Sequence, residues 1–332
     1  MNILLTGATG YIGSHSAAAF LQAGHRVCIL DNLSNSTKDV LSSIAIVSGK
    51  KPDFVEADIR DTTSVLSALV KSDAQCVVHF AGLKAVGESV EKPLDYYSNN
   101  LQGTLSLLHA MQKYGVRKLV FSSSATVYGD PKYLPIDEQH PTAATSPYGR
   151  TKLHIEEMLR DLVYSDVTWR IACLRYFNPV GAHQSGLLGE SPRGVPNNLM
   201  PYVAQVAAGE RPCVYVYGSD YDTPDGTGVR DYIHVMDVAE GHLAALDYLQ
   251  KSNGWHAFNL GTGEGYSVLE VISAFVEASG TAIPLKLTHR RAGDVACSYA
   301  SAEKAERLLG WSAKRNLQSM CSSAWQFQTK RM

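Results

Sequence analysis

The chain has 332 residues, 45% of them apolar and 19% charged, an ordinary globular composition that excludes a disordered polymer. At roughly 100–200 residues per domain this length points to about two domains. Lys and Arg number 30 against 32 Asp and Glu, a net charge of −2, which gives no electrostatic footprint for nucleic acid or an anionic membrane.

Residues 2–5, 26–30, 53–56, 76–80 and 119–122 are short runs rich in Val, Ile, Leu, Cys and Phe. They lack polar alternation, as expected of strands covered on both faces. Stretches with helical character lie between them, at 14–23, 63–70 and 99–114, the last with Leu101, Leu105, Leu108 and Met111 at helical spacing. Such alternation predicts an α/β fold with a parallel, doubly wound sheet. A helix over 147–163 and a strand over 171–176 continue the rhythm. Beyond Phe177 glycine-rich tracts at 178–194 and 220–228 break it, with helices expected near 198–208, 235–250 and 267–278. The reading is therefore a nucleotide-binding domain over 1–177, with a return strand near 256–260. A smaller mixed α/β substrate domain over 178–332 is entwined with it.

Strand 2–5 runs into Gly7-Ala8-Thr9-Gly10-Tyr11-Ile12-Gly13 and then a helix. Gly7, Gly10 and Gly13 allow a tight turn and a close approach to a pyrophosphate, and the helix N-terminus offers it free N–H groups. Asp31 follows about 20 residues later at the end of the next strand. An acid there accepts from an adenosine ribose and repels a 2′-phosphate, which favours NAD over NADP. Gly261-Thr262-Gly263-Glu264-Gly265 looks similar, but no acid stands at the matching distance, so it reads as a plain strand-to-helix connection.

Ser146-Pro147 is a helix start, with Ser as cap and Pro in the first turn. Tyr148 then shares a face with Lys152 at i+4. A phenol of pKa about 10 is a poor base, and a neighbouring ammonium and the positive helix end are expected to lower it. Tyr148 could then take a proton from a substrate hydroxyl whose carbon loses hydride. Ser124, at the carboxyl end of the strand beginning near Leu119, lies where open α/β sheets bind ligands and could bond both substrate oxygen and Tyr148. Ser123 reads as a satisfied turn serine.

The six cysteines, at 28, 76, 173, 213, 297 and 321, form no CxxC and read as buried small hydrophobes. The eleven histidines fall into no metal-ligand spacing, so no metal is expected. No leader or membrane span is visible, a cytoplasmic chain is expected, and the sequons at Asn32 and Asn35 read as chance.

Several longer strings point further: GATGYIGSH at 7–15, HFAGLKAVGESV at 79–90, SSSATVYGD at 122–130, SPYGRTK at 146–152, LRYFNPVGAH at 174–183, DGTGVRDYIHVMD at 225–237 and RRAGDVA at 290–296. Through them the chain resembles the extended short-chain dehydrogenase/reductases, and among these the UDP-glucose 4-epimerase family. The resemblance implies a Rossmann-type fold and tightly held NAD. It also implies oxidation of a UDP-hexose at C4 to a 4-keto sugar, re-reduced on the opposite face. Galactose metabolism and a homodimer built on helices near 99–114 and 150–163 follow from it too. It places Tyr11, Ile12, Asp31, Asn32, Asn35, Ser36, Asp58, Ile59, Phe80, Ala81, Gly82, Lys84, Asn99, Tyr148, Lys152 and Phe177 around NAD. Around the UDP-sugar it places Ser124, Tyr148, Asn178, Asn198, Leu199, Tyr217, Arg230, Arg291 and Asp294. Ser298, four residues past Asp294, would line the hexose pocket. A small residue there goes with tolerance of N-acetylated sugars, unless Tyr299 takes its place.

Two alternatives share the cradle. A 4,6-dehydratase needs a carboxylate pair just after the active-site Ser or Thr, where this chain has Ser124-Ala125-Thr126. A non-catalytic NAD sensor would be expected to lose the Tyr or Lys, and both are present.

Overall fold

The computed structural model describes residues 1–291 and 294–331. The apolar runs form the parallel strands β1 (Asn2–Thr6), β2 (Arg26–Asp31), β3 (Asp53–Glu56), β4 (Cys76–His79), β5 (Lys118–Ser122) and β6 (Arg170–Tyr176). A seventh strand, Gly254–Leu260, pairs in parallel with β6 over its whole length. The sheet order is Gly254–Leu260, β6, β5, β4, β1, β2, β3. It therefore reverses between β1 and β4, and a ligand crevice opens beyond the carboxyl ends at that point.

The absence of polar alternation has a direct cause. Successive side chains enter two different cores. Ile3, Leu5, Val27, Ile29, Val78 and Val120 face one, packed by the helices Tyr11–Gln22 and Val235–Tyr248. Leu4, Cys28, Leu30, Val77, Leu119 and Phe121 face the other, packed by Thr62–Ser72 and Gly103–Tyr114. A strand covered on both faces has no solvent side to mark.

The helix expected over 99–114 is two elements. Tyr97–Gln102 is a π-helical segment and Gly103–Tyr114 is α-helical. A wide turn of this kind often marks a functional position, and here it carries Asn99 and Asn100. At Gly103 a Cβ would stand 2.6 Å from Ile59 Cγ2, so the helix lies too close to the loop after β3 for any larger residue.

Beyond Phe177 the short strands Asn178–Val180, Val214–Tyr217, Val229–Arg230, Tyr232–His234, Tyr266–Ser267, Leu285–Thr288 and Cys297–Ser298 form three small sheets. A third core lies among the helices Leu199–Ala207, Val268–Ser279 and Leu317–Thr329. The last of these is rich in Ser and Gln and escaped the sequence reading, as did Asp39–Ser48, which fully buries Ile44 alone.

The Gly261 loop follows a strand and leads to a helix, and the amides at its centre are already engaged. Thr262 N and Gly263 N donate to the buried carboxylate of Asp231 at 2.9 and 3.1 Å. A Cβ on Gly261 would lie 2.5 Å from Asp231 Oδ2. Five of the six cysteines are buried and all six are free.

Four of the buried histidines are held neutral far below their ordinary range, chiefly by desolvation. His15 and His242 are pushed down to about 4, and His79 and His234 to about 3. A depressed folded pKa gives stability that is present above the unfolded value of about 6.5 and lost as pH falls toward the folded one. Each histidine should then contribute a slope of about 1.4 kcal/mol per pH unit between roughly pH 6 and 4. Urea unfolding at pH 7 and pH 5 should show a loss of several kcal/mol with proton uptake on unfolding. A pH-independent stability across that window would contradict this account.

Candidate active site

The site is built on the loops beyond β1, β2, β4 and β5. Gly7 has φ +70°, and a Cβ there would meet Ala81 N at 2.5 Å. The β1 and β4 loops thus touch backbone to backbone, as only glycine permits. At Gly13 a Cβ would meet Ala8 Cα at 2.5 Å. The helix Tyr11–Gln22 starts at Gly10 with no side chain capping it, so its first-turn N–H groups are left for an anion. This cradle fits a dinucleotide pyrophosphate on geometric grounds.

Asp31 ends β2. Its carboxylate accepts from Thr9 N at 3.1 Å and Leu33 N at 2.9 Å. The loop that follows carries Asn32, Asn35 and Ser36, with Ser36 Oγ 2.6 Å from Thr9 Oγ1. Asn32 Nδ2 donates to Asp58 at 3.1 Å, and Arg60 grips both Asp58 oxygens at 2.9 Å. That side-chain bond from Arg60 holds the Asp58 carboxyl well below the usual range. Both Asp58 oxygens are thus engaged by protein donors, a constraint that its place among the NAD residues did not foresee. Ile59 is buried in the second core beside Gly103.

Past β4, Phe80 packs against His242 with ring centroids 4.7 Å apart. A Cβ on Gly82 would lie 3.2 Å from Asn100 Oδ1 and 3.8 Å from Lys152 Nζ. Asn100 fixes this loop through Leu83 N and Leu83 O at 2.8 and 3.1 Å and reaches Thr151 Oγ1 at 3.0 Å. Asn99 donates to the Asn100 amide oxygen at 3.0 Å.

The helix Pro147–Ser165 is capped by Ser146, whose hydroxyl accepts from Gly149 N. It brings Tyr148 and Lys152 into the crevice, both buried. Lys152 Nζ donates to Ser122 O at 2.7 Å and stands 5.9 Å from the Tyr148 ring centroid. Ser124 caps the short turn Ala125–Val127. Its oxygen accepts from Thr126 N at 3.2 Å and Thr126 Oγ1 at 3.0 Å, which leaves its own proton free to donate.

Electrostatics here run against one expectation. Burial raises the Tyr148 phenol above its ordinary pKa, and the Ser124 hydroxyl only partly offsets that. The Lys152 ammonium, over the ring at 5.9 Å with one proton spent on Ser122 O, does not outweigh that desolvation. Lys152 itself is pushed down to about 8 by desolvation, while Glu156 pulls it upward.

A buried polar chain supports this centre, and it was not anticipated. Ser123 Oγ donates to Glu156 Oε1 at 2.5 Å, and Arg175 Nε pairs with the same carboxylate at 2.9 Å. Arg175 Nη1 donates to Tyr128 OH at 3.0 Å, which donates to Asn259 Oδ1 at 2.7 Å. Asn259 Nδ2 ends on Ile136 O at 2.9 Å. Glu156 follows Lys152 by one helical turn, a spacing that sequence could have flagged; its partners come from distant segments. Ser122 Oγ and Tyr176 OH also form a close pair.

Across the crevice lies a second group. Phe177 is buried and Asn178 opens the strand Asn178–Val180. Asn198 sits at the start of the helix Leu199–Ala207 and donates to Glu190 Oε1 at 2.7 Å. Lys84 Nζ meets the same oxygen at 2.7 Å. Arg291 lies over the Tyr217 ring, 4.4 Å from its centroid, and pairs with Asp294 at 3.4 Å. Ser298 is in register with Arg230 in parallel strands, so the two side chains leave the same face of the sheet. Tyr299 takes the other face, where its ring lies 3.4 Å from the Cβ position of Gly265.

Comparison with known proteins gives this geometry its context. The family described as GDP-mannose 4,6 dehydratase matches residues 4–324. The UDP-glucose 4-epimerase of Bacillus subtilis is 55% identical over 329 residues, covering 99% of this chain and 97% of that protein. The chain belongs to the UDP-glucose 4-epimerase family. The UDP-glucose 4-epimerase structure from Stenotrophomonas maltophila, with bound NAD and formylated UDP-arabinopyranose, superimposes with a TM-score of 0.98 at 51% identity, covering 100% of this chain and 98% of that one. The UDP-Glc/GlcNAc 4-epimerase of Campylobacter jejuni gives a TM-score of 0.85 at 39% identity, with 99% of each chain covered. Epimerase relatives thus span the whole chain, within a wider family whose description is that of a dehydratase.

Proposed function

We propose that this enzyme interconverts UDP-glucose and UDP-galactose by epimerisation at C4, using NAD held throughout the cycle. The observation that carries the reading is the convergence of Ser124, Tyr148 and Lys152 beside an uncapped helix N-terminus and Asp31. Ala125 and Thr126 stand where a dehydratase would need carboxylates, which favours epimerisation over elimination.

NAD, when bound, supplies the acceptor and donor of hydride. The chain's own residues do the rest. Gly7, Gly10, Tyr11, Ile12 and Gly13 hold the pyrophosphate; Asp31, Asn32, Asn35, Ser36, Asp58 and Ile59 line the adenosine end. Phe80, Ala81, Gly82, Lys84, Asn99, Lys152 and Phe177 enclose the rest. Arg230 and Arg291 neutralise the UDP diphosphate, and Asn178, Asn198, Leu199, Tyr217 and Asp294 complete that pocket. Ser124 donates to the sugar oxygen, and Tyr148 takes its proton and later returns it. Burial favours the protonated phenol, which suits the return step. In the forward step the Lys152 ammonium, kept charged by Glu156, is the group on hand to favour the phenolate. The Tyr148→Phe enzyme should keep its fold and its NAD but lose about 10²–10⁴-fold in turnover of UDP-galactose. Near-normal turnover would move the base elsewhere.

Substrate breadth follows from Ser298. It shares the face of Arg230, the arginine read as a diphosphate ligand, while Tyr299 turns away. The small side chain leaves room for a 2-acetamido group, so UDP-N-acetylglucosamine and UDP-N-acetylgalactosamine are substrates too. Ser298→Tyr should suppress the N-acetylated pair at least tenfold more than the plain pair, by a clash. Product separation after incubation with both pairs checks this, and equal losses would place another residue in the pocket.

The enzyme acts as a homodimer in the cytoplasm. Val90 and Leu94 are 64% and 79% exposed on short helices packed against Pro147–Ser165, and Leu105 is exposed on Gly103–Tyr114. Large apolar side chains left this exposed favour a covered face, and six free cysteines suit a reducing compartment. Sedimentation velocity should report a species of twice the chain mass; a monomer at micromolar concentration would remove the dimer.

A further inference from the structure

Between Gly189 and Asn198 the chain crosses from one half of the crevice to the other. Arg193 reaches back to the loop after β2, where Nη1 donates to Ser34 O at 3.0 Å and Nη2 to Ser36 O at 2.6 Å. That loop needs a hold. Leu33 sits at φ +58°, a left-handed conformation for a side chain that gains little from it. From inside, the loop is tied by Leu33 N to Asp31 and by Ser36 Oγ to Thr9; Arg193 ties it from outside.

Three residues earlier, one oxygen of Glu190 accepts from both Lys84 and Asn198 at 2.7 Å. The Glu190 side chain is only 9% exposed, while Lys84 and Asn198 reach it from the surface. Lys84 follows the β4 loop, on the NAD side. Asn198 opens the helix Leu199–Ala207, on the UDP-sugar side. Pro192 and Pro196 limit the backbone freedom of the segment, and Gly194 turns it at φ +81° with nothing within 4 Å of a Cβ. The only covalent link the two loops have here is a long way along the chain; the contacts close the distance across space.

We propose that residues 190–198 form a strap fastened at two points, Arg193 to the adenosine loop and Glu190 to Lys84 and Asn198. The strap retains NAD, and UDP at the neighbouring site tightens it. This rests on the assignment of the adenosine loop and of Lys84 and Asn198 in the proposed function. A guanidinium suits the first fastening, since its planar fork meets two carbonyl oxygens at once, where an ammonium meets them only as a point charge. The second fastening couples the sites, because a UDP-sugar that engages Asn198 fixes the orientation of the amide that Glu190 shares with Lys84.

The test uses purified holoenzyme transferred to NAD-free buffer containing an NAD-hydrolysing enzyme, with bound NAD followed over time, with and without UDP. Arg193→Ala should release NAD roughly tenfold faster than wild type, the scale set by losing two charge-assisted bonds at a surface. Arg193→Lys should fall between the two. Turnover at saturating NAD should stay at the wild-type value in both. UDP should slow release from the wild type, and Glu190→Ala should erase that slowing. Wild-type retention in Arg193→Ala, or an undiminished UDP effect in Glu190→Ala, would overturn the strap. So would a loss of turnover in Arg193→Ala that saturating NAD does not restore. Wild-type protein that neither retains NAD nor converts UDP-galactose would overturn the parent reading and the strap with it.

Discussion

Glu156 and Arg175 lie inside the protein with side chains 1% and 3% exposed, and neither tolerates solitude there. Desolvating two charges costs several kcal/mol per ion, and their attraction offsets this only when the remaining donors and acceptors are also satisfied. Here they are. Ser123 adds a donor to Glu156, and Tyr128 receives the other arm of Arg175. The consequence is positional. Ser123 is joined to the helix that carries Tyr148 and Lys152, and Ser124 is its next neighbour in the chain. Asn259, at the far end of the chain of bonds, reaches Ile136, whose backbone pairs with Tyr299 and Ser301 on either side. The catalytic turn, β6 and the segment after Ser298 are thus held in one frame.

The same burial that makes the pair demanding sets the acid–base balance. Tyr148 and Lys152 are both shifted toward their neutral forms. Two neutral groups would make a poor proton relay. Glu156 acts in the opposite direction on Lys152, and Ser124 in the opposite direction on Tyr148. The site is therefore held between desolvation and a few directed contacts, so small changes in those contacts carry large chemical effects.

The second half of the crevice obeys a different economy. Arg230, Arg291, Asp294 and Tyr217 lie on short strands and loops with partial exposure, and their order comes from neighbours. Asp231 shows how. Its buried carboxylate is pushed up to about 6 by desolvation. It accepts from Thr262, Gly263 and Ala300 backbone amides, and so locks the loop beyond Gly254–Leu260 against the strand Cys297–Ser298. The central amides of a glycine string that resembles a phosphate cradle thereby bind a carboxylate of the chain itself.

What the sequence determined by itself was whatever depends on short-range spacing. The cradle needs glycines within seven residues of one another, and the Tyr148–Lys152 pair needs one helical turn. Ser124 needs only the end of β5. Backbone geometry fixes all three locally, so their residues could be read directly. The strand runs were legible for a similar reason: two covered faces demand apolar side chains at every position. Tertiary structure alone decided the rest. The polarity of Tyr148 and Lys152 depends on burial, which has no local signature. Arg175 finds Glu156, Asn259 finds Tyr128 and Arg193 finds Ser34 across separations from 19 to 159 residues. A polar side chain in a sequence looks the same whether it meets water or a partner. Which of these it meets is settled by the folding of distant segments onto one another, and by the free-energy cost of leaving a charge unpaired once water has gone.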